Sequence, residues 1–383
     1  MKLMPRTPEE LAEALRTAAA RKQTIALDGN WTKRLMGGPI EPSDVTLTTA
    51  GLTRVLQYEP RDLTISVEAG LPWRELTRLV AGNGQMIPLD PAFASGATVG
   101  GVIASNSSGP RRRLYGTARD LVIGMTFATV EGKLVKSGGM VVKNVAGLDM
   151  GKLMIGSMGT LAALAVVNFK LIPAPQAERS FLLQFDTLEK AMAARDGVLR
   201  SVLQPAAIEV LNPVAAQSLG SQNWLLAFRV GGNQASIERY QKEFAKVTDW
   251  AVFEGEEQAT LWSQIEDFTP AFLSEHQDGA VVRVSCTLKD MESLLASIDG
   301  AAVARAGSGV CYAHFAEAKA AARWMEGKAS RGWKAVIEFC AEKRKHELDL
   351  WPATGNDFDV MRRVKQMFDP DGLLNRGRLY RRI

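Results

Sequence analysis

A glycine-rich, uncharged run between Ser95 and Gly109 is the part of the sequence whose residue types most clearly indicate chemistry. It reads S-G-A-T-V-G-G-V-I-A-S-N-S-S-G. Glycines leave backbone N–H groups bare, and such groups in a tight turn attract phosphate oxygens. The apolar residues from Val99 onward predict a short helix whose positive N-terminus points at the same anion. The run therefore predicts a nucleotide cofactor site, and the alternative is a glycine-rich surface loop without function.

Histidine and cysteine are scarce, and their positions limit the chemistry of the chain. They are His276, His314, His346, Cys286, Cys311 and Cys340. These spacings match no zinc or iron–sulfur motif and no helical metal pair, so we expect no bound metal. The first 275 residues contain neither residue type, so a cofactor bound there is expected to be non-covalent. The cysteines are interpreted as buried structural thiols. Their pattern also favours a protein of the reducing cytoplasm.

Length and charge set further bounds. The 383 residues are too many for one typical core, which predicts two domains. The 46 basic and 42 acidic side chains give a net charge of +4 and are well mixed, which argues against nucleic acid binding. No apolar run is long enough to span a bilayer, and residues 1–20 do not resemble a signal peptide. The short basic runs 111–113 and 376–382 are interpreted as solvated faces, with phosphate or partner binding as the alternative.

The elements that must position these residues follow an α+β pattern. Thr7-Pro8-Glu9-Glu10 predicts the start of a first helix, and Pro72 predicts the start of another. Pro173-Ala174-Pro175 interrupts both helix and strand and is the predicted domain boundary. Beyond it, residues 181–340 read twice as β-α-β-β-α, which predicts an antiparallel sheet covered by helices on one face.

Several stretches of the sequence carry a family resemblance. They are Tyr58–Gly70, Pro88–Pro91, the glycine-rich run, Arg111–Asp120, Val142–Asp149, Met154–Leu161 and Phe368–Arg378. Together they resemble flavoproteins of the vanillyl-alcohol-oxidase/PCMH type and, within them, the FAD-binding subunits of bacterial glycolate oxidase (glycolate dehydrogenase). The resemblance implies a two-subdomain PCMH-type FAD-binding domain over residues 1–175. It also implies a ferredoxin-like antiparallel-sheet cap domain over 176–355 and a C-terminal segment, 356–383, that returns to the FAD domain.

The resemblance also implies which residues contact the non-covalent FAD. They are Gly29, Asn30, Thr32, Lys33, Asp90, Gly96, Ala97, Thr98, Gly100, Gly101, Ser105, Asn106, Gly109, Gly116, Gly159, Thr160, Ala162 and Asn375. The amide of Asn375 is expected at the pyrimidine edge of the flavin ring. The chain departs from the family where Gly29 is followed by Asn30 and Trp31 instead of further glycines. It also has Met158 where catalytic relatives commonly have an acidic residue.

The catalytic part of the resemblance is incomplete. Relatives that oxidise 2-hydroxy acids carry an H-x-G-D-G-N-x-H segment whose two histidines hold a metal. The counterpart here, residues 305–312, reads R-A-G-S-G-V-C-Y, so both histidines are replaced. The catalytic residues are not identified by the sequence; weak candidates are Arg305, Tyr312 and His314, and Arg283 or Arg305 is a candidate for binding a substrate carboxylate.

These features favour an FAD-dependent oxidoreductase subunit of a glycolate (2-hydroxy acid) dehydrogenase complex of glyoxylate metabolism. The expected partners are a sister FAD-containing catalytic subunit and an iron–sulfur subunit, and the chain alone is expected to be inactive. It would be cytoplasmic, with peripheral membrane association through its complex left open. The alternatives are a self-sufficient FAD-dependent alcohol or hydroxy-acid dehydrogenase and a flavin-free structural subunit.

Overall fold

The structure is a computed structural model that describes residues 1–141, 149–247, 250–328 and 331–383. Residues 142–148 of the stretch Val142–Asp149, which carried part of the family resemblance, therefore lie outside the described residues. The strands are, in chain order, β1 (Lys2–Leu3), β2 (Ile25–Asp28), β3 (Val45–Thr48), β4 (Val55–Glu59), β5 (Thr64–Glu68), β6 (Gln85–Met86), β7 (Val122–Ala128), β8 (Leu134–Gly138), β9 (Ala163–Lys170), β10 (Ile172–Pro173), β11 (Ala177–Phe185), β12 (Ala207–Leu211), β13 (Trp224–Gly232), β14 (Trp250–Phe253), β15 (Ala280–Ser285), β16 (Ala301–Arg305), β17 (Val310–Phe315) and β18 (Lys334–Cys340).

The helices are α1 (Pro8–Ala20), α2 (Trp73–Ala81), α3 (Val99–Ala104), α4 (Arg112–Tyr115), α5 (Ala118–Leu121), α6 (Gly151–Met154), α7 (Leu188–Arg200), α8 (Pro213–Ala216), α9 (Gln234–Phe244), α10 (Gly255–Glu266), α11 (Phe268–Glu275), α12 (Met291–Leu295), α13 (Ala318–Lys328) and α14 (Asp357–Phe368). The chain folds into two compact units. Unit 1 comprises Met1–Ser108, Gly116–Ala174 and Ala353–Ile383, and unit 2 comprises Gly109–Tyr115 and Pro175–Pro352. No helix in the described part of the chain has the length and apolar character needed to cross a membrane.

Unit 1 contains two main sheets. The strands β1, β3 and β2 form a parallel sheet, and β4-β5-β9-β7-β8 form an antiparallel one. The predicted start of α1 is confirmed, because the Thr7 hydroxyl accepts a hydrogen bond from the Glu10 N–H at 3.1 Å. The apolar face of α1, with Leu11 and Leu15 fully buried, packs into a core that also holds Ile25 and Leu47 of the parallel sheet.

Unit 2 is built on one antiparallel sheet of eight strands in the order β14-β11-β13-β12-β16-β17-β15-β18. The prediction of an α+β fold with a large antiparallel sheet in the C-terminal region is confirmed. The prediction that helices cover one face is wrong. Alternate residues of β12, such as Ile208 and Val210, share a core with α7, α9, α12 and α13. The intervening Ala207 and Leu211 pack against α8 and α10, since both sides of these strands are apolar.

Candidate functional site

A cleft of about 780 Å³, counting the solvent at its mouth, lies within unit 1. It is bounded by the loop after β2, the start of α3, the segment before β9 and the turn at Asn375. Predicted cofactor residues that line it are Gly29, Asn30, Thr32, Lys33, Thr98, Gly100, Gly101, Ser105, Gly159, Ala162 and Asn375. Lining residues that were not among the predicted contacts are Leu27, Asp28, Trp31, Arg34, Thr49, Ala104, Met158, Leu164 and Arg378.

The loop after β2 is held tightly against α3, and Gly29 makes this approach possible. A Cβ on Gly29 would lie 2.2 Å from Thr98 Oγ1, so no side chain fits there. The Thr48 hydroxyl donates to the Gly29 carbonyl at 2.9 Å, and the Asn30 amide donates to the Gly96 carbonyl at 2.8 Å. The single glycine of this loop therefore stands at the point of closest contact.

The expectation that the glycine-rich run offers bare N–H groups is wrong at the start of α3. The Val99 N–H donates to the Leu71 carbonyl at 3.0 Å, and the Gly100 N–H donates to the Ala69 carbonyl at 2.6 Å. The Gly101 N–H donates to the Thr98 hydroxyl at 3.2 Å. Because the connection after β5 runs beside α3 and takes up these donors, the run contributes close packing instead of an anion cradle. A Cβ on Gly100 would lie 2.9 Å from the Ala69 Cβ.

Backbone donors for an anion are found instead in the loop after β2. The N–H groups of Asn30, Trp31 and Thr32 have no acceptor among the described residues. Trp31 adopts a left-handed backbone with φ of 52°. A left-handed residue inside a tight turn directs successive N–H groups into one concavity, which suits phosphate oxygens. Lys33 and Arg34 on the same loop also line the cleft and add positive charge.

Gly159 and Asn375 lie on another side of the cleft, in close contact with each other. Gly159 has φ of +70°, and a Cβ there would lie 2.6 Å from the Asn375 amide nitrogen. That nitrogen donates to the carbonyls of Leu27 at 3.1 Å and Met158 at 2.8 Å, while Asn375 Oδ1 accepts from the Leu27 N–H at 2.7 Å. Both amide protons of Asn375 are thus used by the protein. Asn375 lines the cleft. Its amide was expected to donate to a flavin ring, but it forms hydrogen bonds with the backbone of Leu27 and Met158 instead.

A buried ion pair holds the C-terminal turn in place. Lys365 Nζ donates to Asp369 Oδ2 at 2.6 Å, to the Thr160 carbonyl at 2.7 Å and to the Leu374 carbonyl at 3.0 Å. Asp369 also accepts from the N–H groups of Leu373 and Leu374. This network joins α14, the segment at Thr160 and the approach to Asn375. The sequence analysis did not identify Lys365, because a lysine on an amphipathic helix normally faces solvent.

Asp28 is the acidic residue of the cleft. Its Oδ2 atom is buried and has no hydrogen-bond partner within the described residues. Burial raises the pKa of Asp28. A carboxyl oxygen of this kind is suited to accept a hydrogen bond from a ligand hydroxyl or amine.

Seven predicted cofactor residues lie outside the cleft lining: Asp90, Gly96, Ala97, Asn106, Gly109, Gly116 and Thr160. Gly109 belongs to the segment of unit 2 that interrupts unit 1. Thr160 is buried, and its hydroxyl donates to the Ser157 carbonyl at 2.7 Å. Gly96 supports the loop after β2, since a Cβ there would lie 2.8 Å from Thr32 Cγ2. Contact of these seven residues with a cofactor stays a prediction.

The weak catalytic candidates lie on the sheet of unit 2. Arg305 ends β16, and its guanidinium carbon lies 4.7 Å from the centre of the Tyr312 ring on β17. His314 is 1% exposed and packs edge-on against the rings of Phe268 and Phe272. Its Nδ1 lies 3.3 Å from the Ala301 carbonyl and its Nε2 lies 2.9 Å from the Thr269 hydroxyl. Burial lowers the pKa of His314 to about 4, so this histidine is a neutral, packed side chain.

The residues of the cleft fit a dinucleotide. Gly29 and Gly159 stand where a Cβ would collide, and the loop after β2 presents three unengaged N–H groups beside two cationic side chains. In the described residues, no group of three or more His, Cys, Asp or Glu side chains is placed to hold a metal ion.

Comparison with known proteins identifies the family of the chain. Residues 2–138 match the model of an FAD binding domain, and residues 174–345 and 343–379 match that of the C-terminal domain of FAD linked oxidases. The chain is 26% identical over 379 residues to glycolate oxidase subunit GlcE of Escherichia coli, covering 97% of each protein. It is 28% identical over 210 residues to glycolate oxidase subunit GlcD of Bacillus subtilis, covering 55% of this chain and 45% of GlcD.

The fold is similar to that of solved flavoproteins. A structure of p-cresol methylhydroxylase with substrate bound aligns with a TM-score of 0.77 and 14% identity, covering 98% of this chain and 88% of the other. The PCMH-type fold expected from the sequence is confirmed, and so is FAD as the cofactor. The matches to the two family models together account for most of the sequence, and this chain belongs to the FAD-linked oxidases.

Proposed function

We propose that this chain is the FAD-binding subunit of a glycolate dehydrogenase complex that oxidises glycolate to glyoxylate. The observation that carries the proposal is the end-to-end similarity to GlcE, 97% of each protein, combined with the glycine-bounded cleft of unit 1. Its partners would be a sister flavoprotein that binds substrate and an iron–sulfur subunit that takes the electrons. The similarity to GlcD, a second subunit named for glycolate oxidase, supports a multi-subunit assembly.

The roles of the cleft residues follow from their chemistry. The N–H groups of Asn30, Trp31 and Thr32 would bind the diphosphate, with Lys33 supplying a cation. Gly159 and Asn375 would fix the distance between the ring system and the protein backbone. When bound, FAD supplies the ability to accept a hydride from the carbon that bears the hydroxyl group. Since unit 1 contains neither histidine nor cysteine, the flavin would be held without a covalent bond.

The replacement of both histidines in residues 305–312 supports a chain that does not turn over substrate alone. Arg305 and Tyr312 occupy the two positions as a cation–π pair, and neither is a typical metal ligand. A general base is needed to take the hydroxyl proton of a 2-hydroxy acid. His314 is engaged on both ring nitrogens by Thr269 and Ala301, which leaves no nitrogen for a substrate.

The test is to purify the full chain alone and to isolate it with its partners from its own cell. Alone, it should bind FAD, release it on denaturation and fail to reduce a dye with glycolate. Isolated natively, it should carry a second flavoprotein and an iron–sulfur protein, identified by mass spectrometry. Rapid glycolate-dependent dye reduction by the single chain would overturn the proposal in favour of a self-sufficient enzyme. A folded preparation that takes up no FAD would overturn it in favour of a structural subunit.

A further inference from the structure

Among the described residues that line the cleft of unit 1, Trp31 carries the one aromatic side chain. It is partly buried, yet it belongs to none of the hydrophobic cores of the two units. Within the described part of the chain, no other aromatic ring pairs with the indole and no cationic side chain stacks over it. The indole therefore contributes a large apolar surface to the wall of a cleft and not to the packing of a core.

The backbone at Trp31 holds this ring at the cleft in an unfavourable conformation. Its φ of 52° lies in the left-handed region, which is unusual for a bulky residue and which glycine adopts freely. The surrounding loop fixes this conformation: the Asn30 amide donates to the Gly96 carbonyl at 2.8 Å, and the Arg34 N–H donates to the Trp31 carbonyl at 3.1 Å. Residues strained in this way cluster at sites that hold ligands. A glycine would serve the turn better, so the strain points to a use for the side chain.

The ligand that suits an indole is a flat heteroaromatic ring. Aromatic rings prefer offset-stacked or edge-to-face arrangements, and nucleobases stack on tryptophan whatever their hydrogen-bonding pattern. The N–H groups proposed to bind the diphosphate, those of Asn30, Trp31 and Thr32, belong to the same loop. FAD carries a flat ring system on either side of its diphosphate, adenine on one side and isoalloxazine on the other.

We propose that the Trp31 indole stacks on one of the two flat rings of FAD and is thereby a residue that determines the affinity of the cleft for this dinucleotide. A side-chain contact would then stand where the related flavoproteins have further glycines in this loop. This role of Trp31 rests on the proposed function only in that the cleft must hold FAD. The opposite role for a bulky side chain beside a diphosphate site is to obstruct the cofactor, and the two roles predict opposite changes of affinity.

The test is titration of the FAD-free full chain with FAD, followed by flavin fluorescence, for the parent, Trp31→Gly and Trp31→Phe. Glycine keeps the backbone N–H and adopts the left-handed conformation without strain, so Trp31→Gly removes the ring and leaves the turn intact. We expect Trp31→Gly to bind FAD about tenfold more weakly, within the loss typical of one stacked base. Trp31→Phe retains an aromatic face and should lose less affinity than Trp31→Gly.

The matched control is Trp333→Phe, at a partly buried tryptophan of unit 2 that does not line the cleft. Its dissociation constant for FAD should equal that of the parent. Thermal unfolding of each FAD-free variant checks that the chain is folded before its affinity is compared.

Titrations with ADP and with FMN identify the ring that Trp31 contacts. ADP carries adenine and the diphosphate, whereas FMN carries isoalloxazine and a single phosphate. A loss of affinity in Trp31→Gly that is confined to ADP assigns the contact to adenine, and a loss confined to FMN assigns it to isoalloxazine. Both results support the proposal.

Two results would overturn the stacking contact. Equal FAD affinity of the parent and Trp31→Gly would show that the ring does not contact the cofactor, and tighter binding by Trp31→Gly would show that the ring obstructs the cleft. In both cases the parent still holds FAD and recruits its partners, so the proposed function stands. A folded parent chain that takes up no FAD would instead overturn the stacking contact and the proposed function together.

Discussion

The cleft of unit 1 and a polar cluster on the sheet of unit 2, formed by Glu209, Arg283, Arg305 and Tyr312, are made by different means. The cleft is shaped by backbone: Gly29 and Gly159 allow close approach, and Trp31 and Asn375 adopt left-handed conformations. The polar cluster of unit 2 is made by long polar and charged side chains that regular strands hold in register. A backbone site is therefore expected to respond to changes of shape, and a side-chain site to changes of charge and pH.

The largest expected effect is on stability. It tests whether the turn beside the cleft depends on a buried charge as well as on backbone shape. Lys365→Met removes the cation from Asp369, which is 1% exposed, and leaves the carbonyls of Thr160 and Leu374 without their donor. We expect the free energy of unfolding to fall by about 3–5 kcal/mol, the cost of breaking a buried ion pair on one side. Denaturant titration measures it.

The matched control is Lys190→Met, whose partner Asp186 is exposed. That pair should contribute no more than about 1 kcal/mol. Equal losses of unfolding free energy in the two variants would mean that the buried pair contributes no more to stability than an exposed one.

The second effect is a change of stability with pH, and it arises from a histidine of unit 2. The pKa of His314 is about 4 in the folded chain because of burial, against an ordinary value of 6.5. Between these values the unfolded chain binds more protons, so stability must fall as pH falls from 6.5 towards 4, by about 3 kcal/mol in all. His314→Gln should remove this part of the pH dependence in denaturant titrations.

At pH 8 the histidine is neutral in both states, so there the comparison of parent and His314→Gln isolates packing and hydrogen bonding from protonation. An identical fall in stability in the two proteins would show that another group is responsible.

The third effect separates backbone strain from the shape of the cleft. Gly159→Ala places a methyl group against the Asn375 amide at a position with φ of +70°. Gly220→Ala meets nothing within 4 Å at φ of +74°, and is therefore the matched control. Both should lose about 1–2 kcal/mol of stability from the left-handed conformation.

Gly159→Ala alone should also bind FAD about tenfold more weakly, measured by flavin fluorescence as the FAD-free chain is titrated with FAD. Unchanged affinity would show that Gly159 and Asn375 do not fix the position of the cofactor.

The sequence predicted the cleft better than the polar cluster of unit 2, because the signals of the cleft are local. Glycines such as Gly29 and Gly159 mark backbone turns within a short stretch, so local pattern and family resemblance were enough. The paired donors of Val99 and Gly100 were not foreseen, because their acceptors come from a segment thirty residues earlier. Arg112 was interpreted as one of three solvated arginines, since the charged groups near it lie far along the chain on β12, β15 and β16.

Fold elements were missed where the local signals disagree with the structure. The segment that forms β14, α10 and α11 was not predicted. Helix α10 buries the polar Gln258 among its apolar positions, which breaks the expected periodicity. Helix α11 contains Pro270 in its first turn. The first turn of a helix tolerates proline, but in a sequence a proline normally predicts a break.

The smallest effect lies where the two kinds of site meet, at the ionisable Asp28 inside the backbone-built cleft. Burial raises its pKa, and the carboxylate that forms as pH rises has an Oδ2 atom without a hydrogen-bond partner among the described residues. If that charge repels the diphosphate, Asp28→Asn should bind FAD about two- to threefold more tightly near neutral pH, a small effect because the group is partly exposed. The advantage should vanish as pH falls and the parent carboxyl takes up its proton. Weaker binding by Asp28→Asn at every pH would instead mean that the carboxylate accepts a hydrogen bond from FAD, and that the backbone-built cleft also binds its ligand through a charged side chain.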